Sequence, residues 1–238
     1  MTDKDIHDSE YVRDLFDRVS NTYGYTNYLA SFGFTERWRK QCISKLELKA
    51  NASGYDLMCG RGETWANLFA KNPSIVNLTG LDISSEMIKG SQIQANKLDP
   101  KSVELMEIDV FKNEIPNESA DFVISTFGIK TFTQEQQKLL AAEISRILKP
   151  GGEFSFVEVS YPKDWVFSWL YMFYLKKMMP IIEKLFLGYS YGYSAIGSYV
   201  TEFVDSQKFY TYLQAEGLQV EYHKLFFGCA SGVSGKKS

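Results

Sequence analysis

Few cysteines, few histidines and no long apolar run set the first limits on this sequence of 238 residues. The three cysteines are an odd number without metal-ligand spacing, and two histidines make a zinc site improbable. We expect no disulfide framework, no metal and a reducing, cytoplasmic environment. No apolar stretch reaches the roughly 18 residues of a membrane span, and the first residues lack the pattern of a signal peptide.

A surplus of charge of one sign is also lacking. The formal charge is -3 and the pI is about 5.6, which gives no electrostatic reason to expect a nucleic-acid partner. The hydrophobic fraction of 45% supports a sizeable core. The length suits one large domain with an added cap.

Helical patterns fill residues 1–50, which we predict to form an N-terminal helical cap. Apolar side chains recur on one face between residues 11 and 20, and the polar run 21–24 predicts a break after them. Thr35 is then the predicted N-cap of a helix that ends at Leu46.

Beyond residue 50, short apolar runs alternate with helical stretches. Such runs are typical of buried parallel strands, and their alternation with helices predicts an α/β fold with a doubly wound sheet. Residues 51–160 form the predicted core, and residues 201–238 add a last helix and two strands. The candidate strands are Tyr55–Cys59, Val76–Asp82, Val103–Asp109, Phe122–Thr126, Glu153–Ser160, Gln219–Leu225 and Cys229–Val233.

Residues 161–200 interrupt this alternation with a segment crowded with Trp, Tyr and Phe. The segment is too long for an ordinary connection, and Asp164 and Pro180 are a candidate helix cap and a candidate kink. Because such side chains suit flat apolar molecules, we interpret this helical insert as a substrate lid. A homodimer interface, a simple hydrophobic cap and a shallow membrane contact remain open.

One stretch, Tyr55–Glu63, carries an acid straight into a Gly-x-Gly turn. Asp82 follows Gly62 by 20 residues, the layout in which a carboxylate takes the ribose hydroxyls of a bound nucleotide. Asp56, Asp82 and Asp109 each lie at or near the carboxyl end of a predicted strand, where such sheets bind ligands. Capping of a helix or loop is the alternative role for each acid.

The residues after the turn narrow the choice of nucleotide. A dinucleotide needs a third small residue and a helix N-terminus free for its pyrophosphate. Trp65 is large and Glu63 is anionic, so NAD is disfavoured. No Gly-Lys-Ser/Thr follows, which excludes a Walker loop. S-adenosylmethionine has no phosphate, and its sulfonium, amino group and ribose favour nearby carboxylates.

Three motifs resemble those of class I S-adenosylmethionine-dependent methyltransferases: Asp-Leu-Met-Cys-Gly-Arg-Gly from Asp56, Leu-Asp-Ile-Ser-Ser-Glu-Met-Ile from Leu81 and Leu-Lys-Pro-Gly-Gly from Leu148. More narrowly, residues 11–235 are similar to the ubiquinone/menaquinone biosynthesis C-methyltransferases, through Phe16-Asp17-Arg18-Val19, Ser31-Phe32-Gly33, Phe127-Gly128-Ile129-Lys130 and Val157-Glu158-Val159-Ser160-Tyr161-Pro162. The resemblance implies a Rossmann-like, seven-stranded, mostly parallel sheet and S-adenosyl-L-methionine as cofactor.

The resemblance also implies a cofactor site, with Tyr23 closing over the methionine end and Asp82 taking the ribose. Met87 fits the core of its helix as well as it fits the adenine. The implied residues are Tyr23, Asp56, Gly60 and Gly62 towards the methionine end, Asp82 at the ribose, Ile83, Met87, Asp109 and Val110 at the adenine, and in addition Cys59, Ser125 and Thr126.

The sequence departs from the family pattern at several of these motifs. Met58 stands in place of the first glycine, and Arg61 stands in place of a small residue. We expect Arg61 to point to solvent or to pair with a neighbouring acid. Lys130 and Thr131 replace Arg-Asn, and lysine lacks the planar fork of arginine.

Three residues are candidates for catalysis. Lys130 can stabilise an oxyanion on the substrate, with a solvated loop lysine as the alternative. Glu158 can accept a substrate proton or cap a loop. His223 has the intrinsic pKa of a base, although its position in the middle of a strand favours a structural role.

The predicted enzyme therefore transfers a methyl group to a hydrophobic aromatic small molecule, first of all to a ring carbon of a quinol or phenol. One alternative is methylation at carbon, oxygen or nitrogen of another small molecule. Another is a protein that holds the cofactor without methyl transfer. Methyl transfer from a sulfonium needs mainly positioning and desolvation.

Overall fold

The computed structural model describes residues 6–98, 102–187 and 192–238. Its strands form one seven-stranded sheet in the order β3-β2-β1-β4-β5-β7-β6. Strands β1 to β5 pair in parallel, and β7 runs antiparallel between β5 and β6. The predicted mostly parallel sheet is thus confirmed. The strands are β1 Ser53–Leu57, β2 Asn77–Asp82, β3 Ser102–Glu107, β4 Ala120–Thr126, β5 Leu148–Val159, β6 Leu218–Leu225 and β7 Ala230–Lys237.

Helices cover both faces of the sheet. Along β4 the side chains alternate, so that Phe122 and Ile124 pack on one face while Val123 packs on the other, and all three are fully buried. The helices of the described residues are α1 Ser9–Ala30, α2 Phe34–Ile43, α3 Trp65–Lys71, α4 Ser85–Ala95, α5 Gln134–Ile147, α6 Ser168–Phe173, α7 Met179–Leu187, α8 Gly192–Phe203 and α9 Gln207–Ala215.

The predicted break at residues 21–24 is wrong, because α1 continues to Ala30. A glycine inside a helix costs only about 1 kcal/mol, and contacts with neighbouring elements offset that cost. Ser20 donates a hydrogen bond to the carbonyl of Glu86 in α4, and its own carbonyl accepts one from Arg61. These contacts hold α1 against the sheet.

The predicted cap at Thr35 is also wrong. Gly33 precedes α2 with φ at 77°, a left-handed conformation that favours glycine. Thr35 lies inside the first turn of the helix, where its hydroxyl is 2.9 Å from that of Ser31. The helix ends at Ile43 rather than at Leu46.

The insert is helical, as predicted. Helix α6 runs into a single π-helical turn, Tyr174–Met178, and then into α7. Pro180 follows that turn directly, as expected of a residue that disturbs the helix. Asp164 does not cap a helix, because α6 begins only at Ser168, and its carboxylate instead lies 3.4 Å from the ammonium group of Lys224.

The first strand ends earlier than predicted. β1 stops at Leu57, so Met58 and Cys59 already belong to the glycine turn. Strand β1 lies between β2 and β4, where the strand order reverses. Such a switch point leaves a crevice at the carboxyl ends of the strands, and the turn opens into it.

Candidate active site

The glycine turn rests on a buried tryptophan. Met58, Gly60 and Gly62 have φ values of 58°, 57° and 74°, a region that glycine adopts readily and other residues seldom do. A Cβ on Gly62 would lie 2.5 Å from the ring of Trp65. Trp65 is fully buried, so the large residue that argued against a pyrophosphate is the support on which the turn is built.

Asp82, the last residue of β2, fixes the turn from the side. Its Oδ2 accepts a hydrogen bond from the Gly60 N–H at 2.8 Å, and its Oδ1 accepts one from the Ser84 N–H at 2.9 Å. Burial raises the pKa of Asp82 to about 6, and the two N–H groups oppose that rise. Asp82 is therefore mostly ionised at neutral pH.

A cavity of about 110 Å³ opens in front of the turn, and we call it the polar cavity. It lies at the carboxyl ends of β1, β2 and β4, with α1 on its outer side. Most of the implied cofactor residues meet in its wall: Cys59, Gly60, Asp82, Ile83, Met87, Asp109, Val110 and Thr126. Met87 is 1% exposed, so it both fills the core and borders the cavity.

Asp109 also caps the 3-10 turn that follows β3. Its Oδ1 accepts a hydrogen bond from the Phe111 N–H at 3.0 Å, as the capping alternative predicts. The same residue lines the polar cavity. The two roles proposed for this acid are therefore compatible.

Asp56 does not line the polar cavity. It is 1% exposed and lies beneath the turn, where its Oδ2 accepts a hydrogen bond from Trp65 Nε1 at 2.8 Å. Burial, and after it the nearby Glu63 and Asp82, raise its pKa to about 8 against the opposing hydrogen bond from Trp65 and the charge of Arg39. The expectation that Asp56 directly holds the methionine end is wrong, because its carboxyl group faces inward to Trp65 and does not line the cavity.

Three other implied residues also do not form the described cavity wall. Gly62 faces Trp65. Ser125 is 1% exposed, and its hydroxyl has no hydrogen-bond partner among the described residues. Tyr23 belongs to α1, but its side chain lies outside the part of the chain that the structure describes.

Lys130 and Glu158 form a buried ion pair instead of facing a substrate. Lys130 Nζ lies 3.1 Å from Glu158 Oε1, and the two side chains are 5% and 0% exposed. The Lys130 ammonium group also donates to the carbonyl of Phe127, while Glu158 accepts the N–H groups of Lys130 and Val159. The predictions of Lys130 as an oxyanion partner and of Glu158 as a proton acceptor are therefore corrected, because the two charges neutralise each other. The alternative of a solvated loop lysine is wrong as well, because Lys130 is buried.

His223 is remote from the cavities. It lies on the edge strand β6, where its Nε2 is 2.7 Å from the hydroxyl of Ser234. Burial, and after it the charge of Lys45, lower its pKa. The predicted catalytic base is therefore a structural residue.

Arg61 neither points to solvent nor pairs with an acid. Its Nη1 donates to the carbonyl and hydroxyl of Ser20 in α1, at 3.1 and 3.0 Å. A Cβ on Gly90 would lie 2.6 Å from its guanidinium carbon, so the side chain lies flat against α4. The departure from the family motif thus ties the glycine turn to the N-terminal cap.

Sequence reasoning missed several side chains of the cavity wall, among them Arg39, Glu63 and Phe127. Glu63 had been weighed only as a group that repels phosphate. Arg39 is 6% exposed, and helical spacing would have placed it one turn before the buried Cys42. Phe127 carries a positive φ of 68°, which no sequence pattern indicates for a bulky residue.

A second cavity, of about 560 Å³, lies under the insert, and we call it the apolar cavity. Its wall comes from α2, α6, the π-helical turn and the 3-10 turn after β6. Aromatic rings and thioethers dominate this wall, as in Phe34, Trp38, Trp165, Tyr171, Met178 and Phe226. The size and chemistry suit a long apolar group.

Phe127 and Trp38 separate the two cavities. Phe127 lines the polar cavity, Trp38 lines the apolar one, and their ring centroids are 6.5 Å apart. Arg39 lies over the Phe127 ring with its guanidinium carbon 5.2 Å from the centroid. The boundary between the two cavities is thus a thin wall of two aromatic rings with the buried guanidinium group of Arg39 beside it.

Large apolar side chains in and beside the wall of the apolar cavity are exposed. Phe32, Val166, Trp169 and Phe227 are 80%, 76%, 67% and 62% exposed. Phe32 lines the cavity, Val166 and Trp169 adjoin the lining residues Trp165 and Leu170 in the chain, and Phe227 stacks on the Trp165 ring with the centroids 5.4 Å apart. We call these four side chains the rim.

The sheet order, the glycine turn and the acid that ends β2 define a class I methyltransferase. Human N-acetylserotonin methyltransferase, solved with S-adenosylmethionine, superposes with a TM-score of 0.59 at 16% identity, over 95% of this chain and 60% of that one. An O-methyltransferase family protein of Burkholderia thailandensis superposes with a TM-score of 0.63 at 16% identity, over 98% and 63%. At such identities the likeness shows the fold alone.

Within that class, the chain belongs to the ubiE/COQ5 methyltransferase family, whose model matches residues 4–237. It is 30% identical to the ubiquinone/menaquinone biosynthesis C-methyltransferase of Geotalea daltonii over 96% of this chain and 97% of that protein. It is 29% identical to the demethylmenaquinone methyltransferase of Lactiplantibacillus plantarum over 100% and 99%. The protein is a methyltransferase, and its family implies S-adenosylmethionine as cofactor.

Proposed function

We propose that this enzyme transfers the methyl group of S-adenosylmethionine to a ring carbon of a hydrophobic quinol. The observation that carries the proposal is the contact between an acid-lined cavity and a larger apolar cavity across the Phe127–Trp38 wall. The names of the relatives from Geotalea daltonii and Lactiplantibacillus plantarum support a quinone-type acceptor.

The polar cavity fits the cofactor by its charges. Asp82 and Asp109 line the side where the nucleoside would lie, and Glu63 contributes a buried Oε1 that has no partner in the described chain. A wall rich in carboxylates is costly to bury without a cation. When bound, S-adenosylmethionine supplies a methyl group already activated by the sulfonium charge.

The chain contributes positioning and exclusion of water. Asp82 orients the ribose, and Phe127 and Trp38 place the acceptor ring beside the polar cavity while the apolar cavity takes its tail. Transfer breaks the methyl–sulfur bond, which leaves S-adenosylhomocysteine, and the methylated ring carbon then gives up its proton to solvent. Since Lys130 and Glu158 neutralise each other, catalysis here rests on orientation and desolvation more than on a side-chain base.

A turnover assay with S-adenosylmethionine and a prenylated naphthohydroquinone tests the proposal. We expect a C-methylated product by NMR and mass spectrometry. Asp82→Asn should abolish most turnover by weakening the cofactor about 100-fold, as expected for a lost charge-assisted contact, whereas the surface change Asp121→Asn should not. An O-methyl ether, or no product from enzyme that binds S-adenosylhomocysteine, would overturn the acceptor assignment.

We further propose that the rim rests on a lipid surface from which the acceptor enters. Large exposed apolar patches usually mark an interaction site, and the rim adjoins the wall of the apolar cavity. Residues 161–187 carry four lysines and two acids, a balance that favours anionic lipid. No helix in the described residues is long and apolar enough to cross a membrane, so the contact would be peripheral.

Co-sedimentation with phosphatidylcholine vesicles, with and without phosphatidylglycerol, tests this contact. The wild type should bind, more strongly with the anionic lipid, and Trp169→Ser with Val166→Ser should release it, whereas Leu139→Ser on the exposed side of α5 should not. If the protein forms concentration-dependent homodimers that the same two changes dissociate, and it does not bind vesicles, the lipid proposal is overturned.

We also propose a cytoplasmic location. The described cysteines form no disulfide, which supports a reducing compartment.

A further inference from the structure

Two residues of opposite charge in the wall of the polar cavity each have a buried atom without a hydrogen-bond partner in the described part of the chain. These atoms are Nε of Arg39, from α2, and Oε1 of Glu63, from the glycine turn. Arg39 Nη1 is 3.9 Å from Glu36, too far for a hydrogen bond. Buried charged groups are normally satisfied, so this pair calls for a ligand that offers both an anion and a cation.

The remainder of each side chain is held in place. The Arg39 guanidinium lies over the Phe127 ring, a favourable cation–π position. Glu63 Oε2 accepts the Arg61 N–H at 3.2 Å, which leaves Oε1 free. A Cβ on Gly24 of α1 would lie 3.5 Å from that Oε1, so the helix that carries Tyr23 passes directly over Glu63.

We propose that Arg39 and Glu63 together bind the amino-acid end of S-adenosylmethionine, Arg39 through its carboxylate and Glu63 through its ammonium group. The guanidinium fork matches a carboxylate, and the free Oε1 accepts from an ammonium. The assignment rests on the proposed cofactor, and it replaces Asp56, which faces away from the cavity. Asp82 and Asp109 remain for the nucleoside.

Two ligands separate this role from general support of the cavity. S-adenosylhomocysteine has the zwitterionic end, whereas methylthioadenosine keeps the nucleoside thioether and lacks it. By calorimetry, Arg39→Met and Glu63→Gln should each weaken S-adenosylhomocysteine about 10- to 100-fold and leave methylthioadenosine unchanged. Arg39→Lys should bind S-adenosylhomocysteine with an affinity between those of the wild type and Arg39→Met, since it keeps the charge and loses the planar fork. Arg37→Met and Glu104→Gln, both exposed, are the matched controls and should change neither affinity.

The double variant Arg39→Met with Glu63→Gln should lose most of the preference for S-adenosylhomocysteine. Equal losses for both ligands would overturn the assignment, because they indicate a role in the shape of the cavity. If Arg39→Met leaves both affinities unchanged and lowers kcat, the assignment of Arg39 to the amino-acid end is overturned, and the residue belongs to the site of the methyl acceptor. If the wild type binds neither ligand, the cofactor itself is wrong, an outcome that differs from failure of the assignment. Circular dichroism and the Arg39→Lys variant guard against misfolding.

Discussion

The polar and apolar cavities are neighbours, yet they were built in different ways. The polar cavity forms where β1, β2 and β4 end. Its wall is fixed by hydrogen bonds from backbone N–H groups, such as the one from Gly60 to the carboxylate of Asp82. The apolar cavity lies beneath the insert and is held by packing of rings and thioethers. A wall fixed by hydrogen bonds can select a ligand atom by atom, whereas a wall of packed rings selects by volume and polarity.

The buried pair Lys130–Glu158 supports the boundary between the cavities, because the Lys130 ammonium group also donates a hydrogen bond to the carbonyl of Phe127. Lys130→Met should lower the free energy of unfolding by about 3–5 kcal/mol, because it leaves the Glu158 carboxylate buried without a partner. Denaturant titration measures the loss. The same change at Lys149, whose pair with Asp121 is partly exposed, should cost about 0.2–1 kcal/mol. Unchanged stability with lost turnover would return Lys130 to the role of oxyanion partner.

The floor of the polar cavity should respond to pH through Asp56. The unfolded chain releases this proton near pH 3.9 and the folded protein near pH 8. Its contribution to stability is therefore complete below about pH 4 and is lost as the pH rises through 8. Asp56→Asn should gain at least about 1.4 kcal/mol over the wild type between pH 5 and pH 8, measured by denaturant unfolding at both values. A pH-independent difference would contradict the protonated carboxyl group.

A residue that belongs to neither cavity should give the smallest effect. His223→Gln should keep kcat and change stability by no more than about 0.5–1.5 kcal/mol, the worth of its hydrogen bond to Ser234. Steady-state kinetics across the neutral pH range would check it. A fall in kcat of about 100-fold or more, typical of a lost general base, would mean that His223 reaches the substrate.

Local signals were sufficient for most of the sheet. The predicted strands overlap all seven strands of the sheet. In the central strands burial on both faces requires continuous apolar side chains, whereas the edge strand β6 is only partly buried. The ends of the elements were less well predicted. Met58 was predicted to end the first strand, but it lies in the glycine turn with a positive φ. The polar run 21–24 was predicted to break a helix, but it lies inside the continuous helix α1. In both cases contacts from distant residues outweigh local preference.

The candidate site shows the same division. Asp82 and Asp109 were predicted because each lies at or just after the end of a strand, a position that a sequence reveals, and Met87 was predicted from the resemblance to the methyltransferase motif. Arg39 was missed because nothing near it in the chain shows that α2 faces the glycine turn. Lys130 was misread because its partner, Glu158, is 28 residues away and becomes its neighbour only through the pairing of β4 with β5.

The sequence by itself determined the sheet, the glycine turn with the acid that ends β2 and the aromatic character of the insert. Those features depend on periodicity, on glycine conformation and on composition, all of which are local. Only the tertiary structure decided which charges neutralise each other and which remain free. Lys130 and Glu158 lose their expected chemistry to each other, and Asp56 turns inward to Trp65. Arg39 and Glu63 line the polar cavity, and each keeps one buried atom without a hydrogen-bond partner among the described residues, because charge satisfaction depends on distance in space rather than along the chain.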